Sequence, residues 1–257
     1  MKPPVLNVDV STDTWTQLLS LRDGARSCNG TVRDDPAFLL YGPVVARNGA
    51  GHLLSQVGQS LDGRVATASG DARDVSGADG IRHLHRCRAL VDAVVVGIGT
   101  VIADDPSLTV REVDGPDPQR VVIDPNGRLP ASAKMLSDGH PPPIIVQGED
   151  GPDRNGLDTI VVPREGRYLS AVAIRQELAR RGMHNILLEG GGTTIAIFLG
   201  AACVDRLHVT ISPLIIGAGP AGLRLPEVEL LSDAMRPETH VYDIGSDVLF
   251  DCQLRRA

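Results

Sequence analysis

The chain has 257 residues, with 25 basic and 32 acidic side chains, a net charge of −7 and only 3% aromatic residues. This length suffices for one large or two small domains with a real hydrophobic core. An acidic chain with few rings lacks the basic surface and stacking platform of a nucleic-acid binder. No apolar stretch approaches the ~20 residues of a membrane helix, and the start has no signal-peptide core. We therefore expect a cytoplasmic protein that binds neither nucleic acid nor membranes.

Cysteine and histidine spacing predicts no disulfide framework and no metal site. The cysteines form no C-x-x-C pair, which favours reduced thiols packed as small apolar groups. They are Cys28, Cys87, Cys203 and Cys252. His83 and His85 are two residues apart, so on a helix they would point to different faces and could not chelate one ion. The signature of zinc nucleobase deaminases is also absent.

The first 49 residues differ in pattern from the rest of the chain. The sequence predicts a short helix over residues 13–21 and a loop over residues 29–35. It predicts an edge strand over residues 38–45, interrupted by Gly42 and Pro43. Since this segment is too short for a core of its own, we interpret residues 1–49 as an extension that packs on a main domain of residues 50–257.

From residue 50 onward, apolar runs typical of strands alternate with amphipathic segments typical of helices. The predicted strands cover residues 53–58, 92–97, 120–124, 143–147, 158–162, 185–189, 206–216 and 248–254. The predicted helices cover residues 78–90, 168–181 and 193–201, and a short one opens at Thr100. This alternation predicts an α/β fold with a mainly parallel sheet, helices on both faces and an antiparallel edge formed by the last two strands.

A glycine-rich loop follows the predicted strand 185–189 and precedes a helix. Gly190, Gly191 and Gly192 would let the backbone approach a ligand closely, and the helix N-terminus would add partial positive charge. Thr193 and Thr194 would add hydroxyl donors. The loop therefore predicts a phosphate site, and a plain tight turn is the alternative.

The loop after strand 92–97 has the same arrangement, with Gly97 and Gly99 before Thr100. The following residues 104–106 (Asp-Asp-Pro) are either acidic ligands, a helix stop, or both. Arg111 would either bind an anion, because a guanidinium matches phosphate oxygens, or be a solvated surface side chain.

Residues 217–222 fit the pattern G-x-G-x-x-G after a strand, but Pro220 lies inside the pattern and Pro226 precedes any helix. No acidic residue stands where a dinucleotide fingerprint needs its ribose partner. We interpret this segment as a flexible connection.

Taken together, these segments resemble the reductase domain of riboflavin biosynthesis, found in bacterial deaminase-reductases and in stand-alone diaminopyrimidine reductases. The matching motifs lie in one order at residues 60–64, 66–71, 85–89, 91–93, 97–101, 104–106, 108–111, 121–124, 188–192 and 204–205. The resemblance implies a dihydrofolate-reductase-like three-layer fold, NADPH as cofactor and a homodimer. It also implies reduction of the ribosylamino side chain of a pyrimidine 5′-phosphate to the ribitylamino form, with hydride transferred to C1′ of the opened sugar.

The resemblance also assigns roles by position. It implies cofactor contacts from Gly58, Thr100, Asp104, Gly190, Gly191, Gly192, Thr193 and Thr194. It implies substrate contacts from Arg88, Leu108, Arg111 and Glu189. Arg111 would bind the 5′-phosphate, while Asp104, Glu189 or a water molecule would supply the proton to the imine nitrogen. Arg128 is a candidate for the 2′-phosphate of the cofactor.

Three positions depart from the family pattern. Gln56 stands where the bifunctional enzymes usually have lysine, which favours the stand-alone type, and Ala72 and Asp74 replace other residues beside the expected site. The first fifty residues match no part of a deaminase domain. Two alternatives therefore stay open: a related NADPH reductase with another substrate, and a non-catalytic NADP-binding regulatory protein.

Overall fold

A ten-stranded sheet forms the centre of the structure. The structure is a computed structural model that describes residues 4–25, 35–46, 51–154 and 156–254. Cys28 and residues 29–34 of the predicted loop lie outside the described residues.

The elements follow the predicted alternation from residue 52 onward. The strands are β1 (Val5–Asn7), β2 (His52–Ser60), β3 (Ala93–Gly97), β4 (Gln119–Ile123), β5 (Ile144–Gln147), β6 (Thr159–Val161), β7 (Arg164–Glu165), β8 (Tyr168–Leu169), β9 (Asn185–Glu189), β10 (Arg206–Ser212), β11 (Glu238–Asp243) and β12 (Val248–Gln253). The helices are α1 (Thr12–Arg22), α2 (Pro36–Val45), α3 (Ala78–Leu90), α4 (Ile98–Asp104), α5 (Ala171–Arg180) and α6 (Gly192–Gly200).

The strand order in the sheet is β1-β11-β12-β10-β2-β9-β3-β4-β5-β6. Neighbouring strands are parallel except where β12 pairs with β10 and β11. This confirms a mostly parallel sheet with antiparallel pairing at the C-terminal strand. The sheet extends further than predicted, because β11 and β1 were not expected and lie outside β12.

Helices cover both faces of the sheet, as predicted, because successive strand residues point to opposite sides. Val94 and Leu187 pack with residues of α1, α2, α3 and α4 in one cluster. Val95 and Leu188 pack with residues of α5 and α6 in the other. Strands buried on both faces need continuous apolar sequence, which explains the Val and Leu runs of β3 and β9.

The predicted edge strand over residues 38–45 is wrong, since this segment forms helix α2. The Asp35 side chain caps the helix by accepting a hydrogen bond from the Ala37 backbone N–H at 2.9 Å, and Pro36 occupies the first turn, where proline is tolerated. The buried residues have helical spacing. They are Ala37, Leu40, Tyr41, Val44 and Val45.

Two further boundaries differ from prediction for local reasons. Helix α5 begins at Ala171 rather than at residue 168, because Ser170 caps it and β7 and β8 pair just before it. Strand β10 ends at Ser212, immediately before Pro213, which lacks the N–H that would continue the ladder.

None of the described helices is long and apolar enough to cross a membrane. The thiol of Cys87 is buried and unbridged, as expected for that cysteine.

Candidate active site

A cavity of about 560 Å³ lies where β2, β3 and β9 end. Parallel neighbours place their carboxyl ends at one edge of a sheet, which is where open α/β proteins bind ligands. Ten of the predicted site residues line the cavity. They are Gly58, Arg88, Thr100, Asp104, Leu108, Glu189, Gly190, Gly191, Gly192 and Thr193. A larger cavity of about 940 Å³ contains none of the predicted residues, and it includes His52 and Arg206 from the opposite ends of β2 and β10.

The glycine loop is shaped by close backbone approaches. Gly190 has a φ of +96°, and a Cβ there would lie 2.5 Å from Thr100 Oγ1. A Cβ on Gly192 would lie 2.7 Å from the Gly222 carbonyl oxygen. At Gly191, by contrast, the nearest atom would be Thr100 Oγ1 at 3.9 Å, so this residue faces open space. Gly190 and Gly192 fit the fold, and Gly191 leaves room for a ligand.

The N-terminus of α6 borders this open space. Gly191 is the N-cap residue of α6, and the first N–H groups of a helix have no partner within it. The Gly191 N–H donates to Thr100 Oγ1 at 3.2 Å, which fixes the loop against α4. The arrangement fits an anionic group such as a phosphate, through backbone donors and the helix dipole.

Pro220 and Ala221, from the segment of residues 217–222, form part of the cavity wall. The Gly222 N–H donates to the Gly63 carbonyl at 3.1 Å, and the Ala221 and Gly222 carbonyls lie against Gly192. No helix follows this segment among the described residues, which agrees with rejecting a dinucleotide turn. The sequence did not predict that this segment contacts both Gly63 and Gly192.

The floor of the cavity carries a buried ion pair between Arg88 of α3 and Glu189 at the end of β9. Arg88 donates from Nε to Glu189 Oε1 and from Nη2 to Glu189 Oε2, both at 2.8 Å. The third donor group, Nη1, reaches the Thr109 carbonyl at 3.1 Å. Burial alone would lower the pKa of Arg88, but the Glu189 carboxylate outweighs burial and raises it. The two predicted substrate contacts are thus one bidentate unit.

Leu108 lies beside this pair in a strained backbone conformation. It is buried and has a φ of +59°, in the left-handed region that a leucine rarely adopts. Arginine side chains hold the carbonyls on either side. Arg120 donates to the Ser107 carbonyl at 3.1 Å, and Arg88 donates to the Thr109 carbonyl. These anchors keep the Leu108 side chain in the cavity wall.

Arg111 does not line the cavity, although it is anchored next to it. Its Nη1 donates to Thr109 Oγ1 at 2.5 Å, and its backbone N–H donates to His85 Nδ1 at 2.9 Å. Arg88, which lines the cavity, and Arg111 both donate to the Thr109 carbonyl. The exposed guanidinium of Arg111 therefore lies next to the cavity floor but outside the cavity lining. It remains available to an anion at the cavity rim.

The two adjacent aspartates have different roles. Asp104 ends α4 on the cavity lining, and partial burial raises the pKa of its carboxyl. Asp105 adopts a left-handed conformation with a φ of +41° and ends the helix. Its Oδ1 accepts from the Lys134 backbone N–H at 2.8 Å. The structure confirms the helix stop at Asp105, and Asp104 stays a predicted ligand that lines the cavity.

Besides Arg111, two further predicted contacts lie away from the cavity lining. Thr194 packs its hydroxyl against Gly97. Arg128 is exposed, and its backbone N–H donates to Asp124 at 2.9 Å. Arg224, which the sequence reading missed, does line the cavity and has an exposed guanidinium. Its only sequence signal is its position two residues after the glycine pattern.

The three departures from the family pattern all line the cavity, namely Gln56, Ala72 and Asp74. Gln56 is 6% exposed, and its Oε1 has no hydrogen-bond partner. A buried acceptor in this state is costly unless a ligand or water satisfies it.

The fold and cavity define an α/β protein with a cavity at the carboxyl edge of its mostly parallel sheet. Residues 51–250 match the model of the RibD C-terminal domain. The chain is 33% identical over 209 residues to the 2,5-diamino-6-ribosylamino-4(3H)-pyrimidinone 5′-phosphate reductase of Methanothermobacter thermautotrophicus, covering 78% of this chain and 96% of that protein. This chain therefore belongs to the RibD C-terminal domain family.

Two longer relatives match this chain over about 60% of their own length, and a third relative matches over almost all of its length. The riboflavin biosynthesis protein RibD of Escherichia coli is 30% identical over 218 residues, covering 79% of this chain and 59% of that protein. The solved RibD of Acinetobacter baumannii superposes with a TM-score of 0.69 at 25% identity, covering 84% and 61%. The riboflavin biosynthesis reductase Rib7 of Saccharomyces cerevisiae shares the fold, with a TM-score of 0.68 at 22% identity, covering 85% and 98%.

His85 gives a pH-dependent prediction. Burial, with Arg88 and Arg111, lowers the pKa of His85 to about 4, so the ring is neutral when it accepts from Arg111. The unfolded chain takes up this proton below its ordinary pKa of about 6.5, so the stabilisation is complete above that pH and is lost between about 6.5 and 4. His85→Asn keeps an acceptor near Nδ1 but does not titrate.

We expect the free energy of unfolding to fall between pH 7 and pH 5 by about 2 kcal/mol less in His85→Asn than in the parent chain. Urea unfolding at both pH values measures this difference. Parallel pH curves for the two proteins would contradict the neutral, buried state of His85.

Proposed function

We propose that this chain is an NADPH-dependent reductase that converts the ribosylamino side chain of a pyrimidine 5′-phosphate to the ribitylamino form in riboflavin biosynthesis. The observation that carries the proposal is one cavity that joins a backbone phosphate cradle, Gly190 to Gly192, to the buried pair of Arg88 and Glu189. The Methanothermobacter thermautotrophicus relative, which this chain covers almost completely, is named a pyrimidinone 5′-phosphate reductase and so supports the substrate class.

The residues of the cradle fit a nicotinamide dinucleotide. Gly191 leaves open space at the N-terminus of α6, where backbone donors suit a pyrophosphate. Arg224 offers an exposed cation on the same cavity for a 2′-phosphate, a better position than that of Arg128. When bound, the cofactor would supply the hydride, and the protein supplies alignment and charge placement.

The substrate would lie over Arg88, Leu108 and Glu189. The anchored guanidinium of Arg111 would bind the 5′-phosphate at the rim, since a planar fork of donors matches phosphate oxygens. A phosphate held there is remote from the reacting carbon and fixes its position, which is how remote binding energy assists a reaction.

Asp104 is our candidate for the proton donor. Both oxygens of Glu189 already accept hydrogen bonds from Arg88. We therefore assign Glu189 to positioning the substrate and not to donating the proton. Asp104 has no hydrogen-bond or ion-pair partner in the described part of the chain, and its raised pKa favours a carboxyl that can carry a proton. A general acid works best when its pKa is moved toward the operating pH.

Turnover tests the proposed function directly. Purified protein mixed with NADPH and the phosphorylated ribosylaminopyrimidine should oxidise NADPH, seen as a loss of absorbance at 340 nm. The ribitylamino product should form at the same time. The dephosphorylated compound should react poorly because it lacks the anchor for Arg111. Binding of NADPH without turnover of any phosphorylated ribosylaminopyrimidine would contradict the proposal and favour a regulatory role.

The cofactor cradle is tested by Gly191→Val. The side chain would enter open space in the fold but occupy the ligand's position, so we expect the KM for NADPH to rise at least ~10-fold with a stability loss of about 1 kcal/mol from the weaker N-cap. Gly200→Val is the matched control at the other end of α6, where nothing lies within 4 Å. Equal cofactor KM values in the two variants would refute the cradle.

The phosphate anchor is tested by Arg111→Ala. Losing one or two charge-assisted hydrogen bonds should raise the KM for the phosphorylated substrate ~10–100-fold and leave the KM for NADPH nearly unchanged. Arg128→Ala, another exposed arginine, is the control and should behave like the parent chain. If Arg111→Ala also matches the parent chain, Arg111 does not bind the phosphate.

A further inference from the structure

A second cluster of chemically reactive groups lies in the core, under α3 and outside the cavity lining. His83 and Cys87 are one helical turn apart on α3, and His208 approaches them from β10. All three are buried, and one ligand atom from each lies within 4.8 Å of the others. The proposed reductase activity uses none of them.

The distances between these atoms match those of metal ligands. His83 Nε2 lies 3.2 Å from His208 Nδ1 and 3.6 Å from Cys87 Sγ. Tetrahedral zinc, with bonds of about 2.05 Å to nitrogen and 2.3 Å to sulfur, separates two nitrogens by about 3.3 Å and a nitrogen from a sulfur by about 3.6 Å. The side chains are thus already spaced for one ion.

The outer ring nitrogen of His83 has a partner of the kind that orients metal-bound histidines, and that of His208 faces a carboxylate without a hydrogen bond. His83 Nδ1 lies 2.8 Å from the Tyr41 hydroxyl. His208 Nε2 lies 3.5 Å from Asp251 Oδ1, and Arg206 holds the same carboxylate with Nε at 2.6 Å. Burial alone would raise the pKa of Asp251, but His208 and Arg206 lower it to about 2, so the carboxylate is charged.

We propose that His83, Cys87 and His208 bind one zinc ion. Imidazole and thiolate ligands favour zinc over magnesium or calcium, and full burial makes this a structural site without substrate access. These three side chains are the protein ligands that the described residues supply, and a fourth position would remain for a water molecule.

Binding balances with one released proton. Burial, with Glu189, raises the pKa of Cys87, so without a cation its thiol is protonated, and zinc displaces this proton to solvent. His83 would bind through Nε2 and carry its proton on Nδ1, where the Tyr41 oxygen accepts it. His208 would bind through Nδ1 and carry its proton on Nε2, which lies 3.5 Å from Asp251 Oδ1.

The ion would stabilise the turn of α3 that carries Arg88, on the side away from the cavity. Cys87 and Arg88 are consecutive in α3, and Arg88 forms the pair with Glu189. Zinc would tie this turn of α3 to β10, so its binding should stabilise the fold by linkage.

Metal loading of the whole purified chain tests the proposal. After equilibration with Zn²⁺ and desalting, mass spectrometry should find about one zinc per chain, and zinc should raise the melting temperature. With Co²⁺, a thiolate charge-transfer band should appear in the near ultraviolet. Cys87→Ser should abolish the band and reduce retained zinc at least ~10-fold. Cys203→Ser, a buried cysteine on the other face of the sheet, should keep both.

His208→Gln provides a second variant, which keeps a polar side chain and should also lose zinc at least ~10-fold. Circular dichroism verifies that each variant is folded. If Cys87→Ser does not fold, the thiolate band in the cobalt spectrum of the parent chain tests the proposal instead. Less than ~0.1 zinc per parent chain would show that His83, Cys87 and His208 only contact one another in the core, and would overturn the proposal. Retention of the cobalt band in folded Cys87→Ser would place the ion elsewhere and overturn it equally.

Discussion

The buried ion pair of Arg88 and Glu189 determines how the cavity is built. It joins the last turn of α3 to the end of β9 through two parallel hydrogen bonds, and its third arm holds the Thr109 carbonyl. Removing either partner would leave a buried charge uncompensated, which is among the most destabilising changes a core can suffer. The strained Leu108 and the anchored Arg111 both lie on the segment that this third arm holds.

The second constraint is the close packing of backbone around the glycine loop. Gly190 and Gly192 leave no room for a side chain, because Thr100 and the carbonyls of residues 221–222 occupy that space. The glycine loop, helix α4 and the loop of residues 221–222 therefore meet at the N-terminus of α6. An acidic chain can attract a phosphate in this way, because local donors and single arginines act at contact distance while the net charge acts only at long range.

Much of the fold follows from the sequence, and ten of the predicted site residues line the cavity. Central strands such as β3 and β9 have unbroken apolar runs, and the amphipathic helix α3 matches its predicted residues 78–90. Short or partly exposed strands escaped prediction, since β1 has three residues and β11 has an exposed start. Segment 38–45 was misassigned because Gly42 and Pro43 outweighed the helical spacing of its apolar residues.

The site residues that escaped prediction depend on contacts between distant parts of the chain. Arg224 joins the cavity only because loop 217–222 folds over Gly192. His208 meets His83 across 125 residues, and local spacing compares His83 only with its sequence neighbour His85. The family resemblance assigns Arg88 and Glu189 to the site one position at a time, and neither it nor sequence periodicity shows that the two side chains pair.

A double-mutant cycle on the pair tests the account most directly. Urea unfolding would be measured for Arg88→Met, Glu189→Met and the double variant. We expect each single change to cost about 3–5 kcal/mol, because it leaves one buried charge alone. The double variant should cost about 1–3 kcal/mol less than the sum of the two. Additive losses within ~0.5 kcal/mol would show that the two residues act independently and would contradict the account.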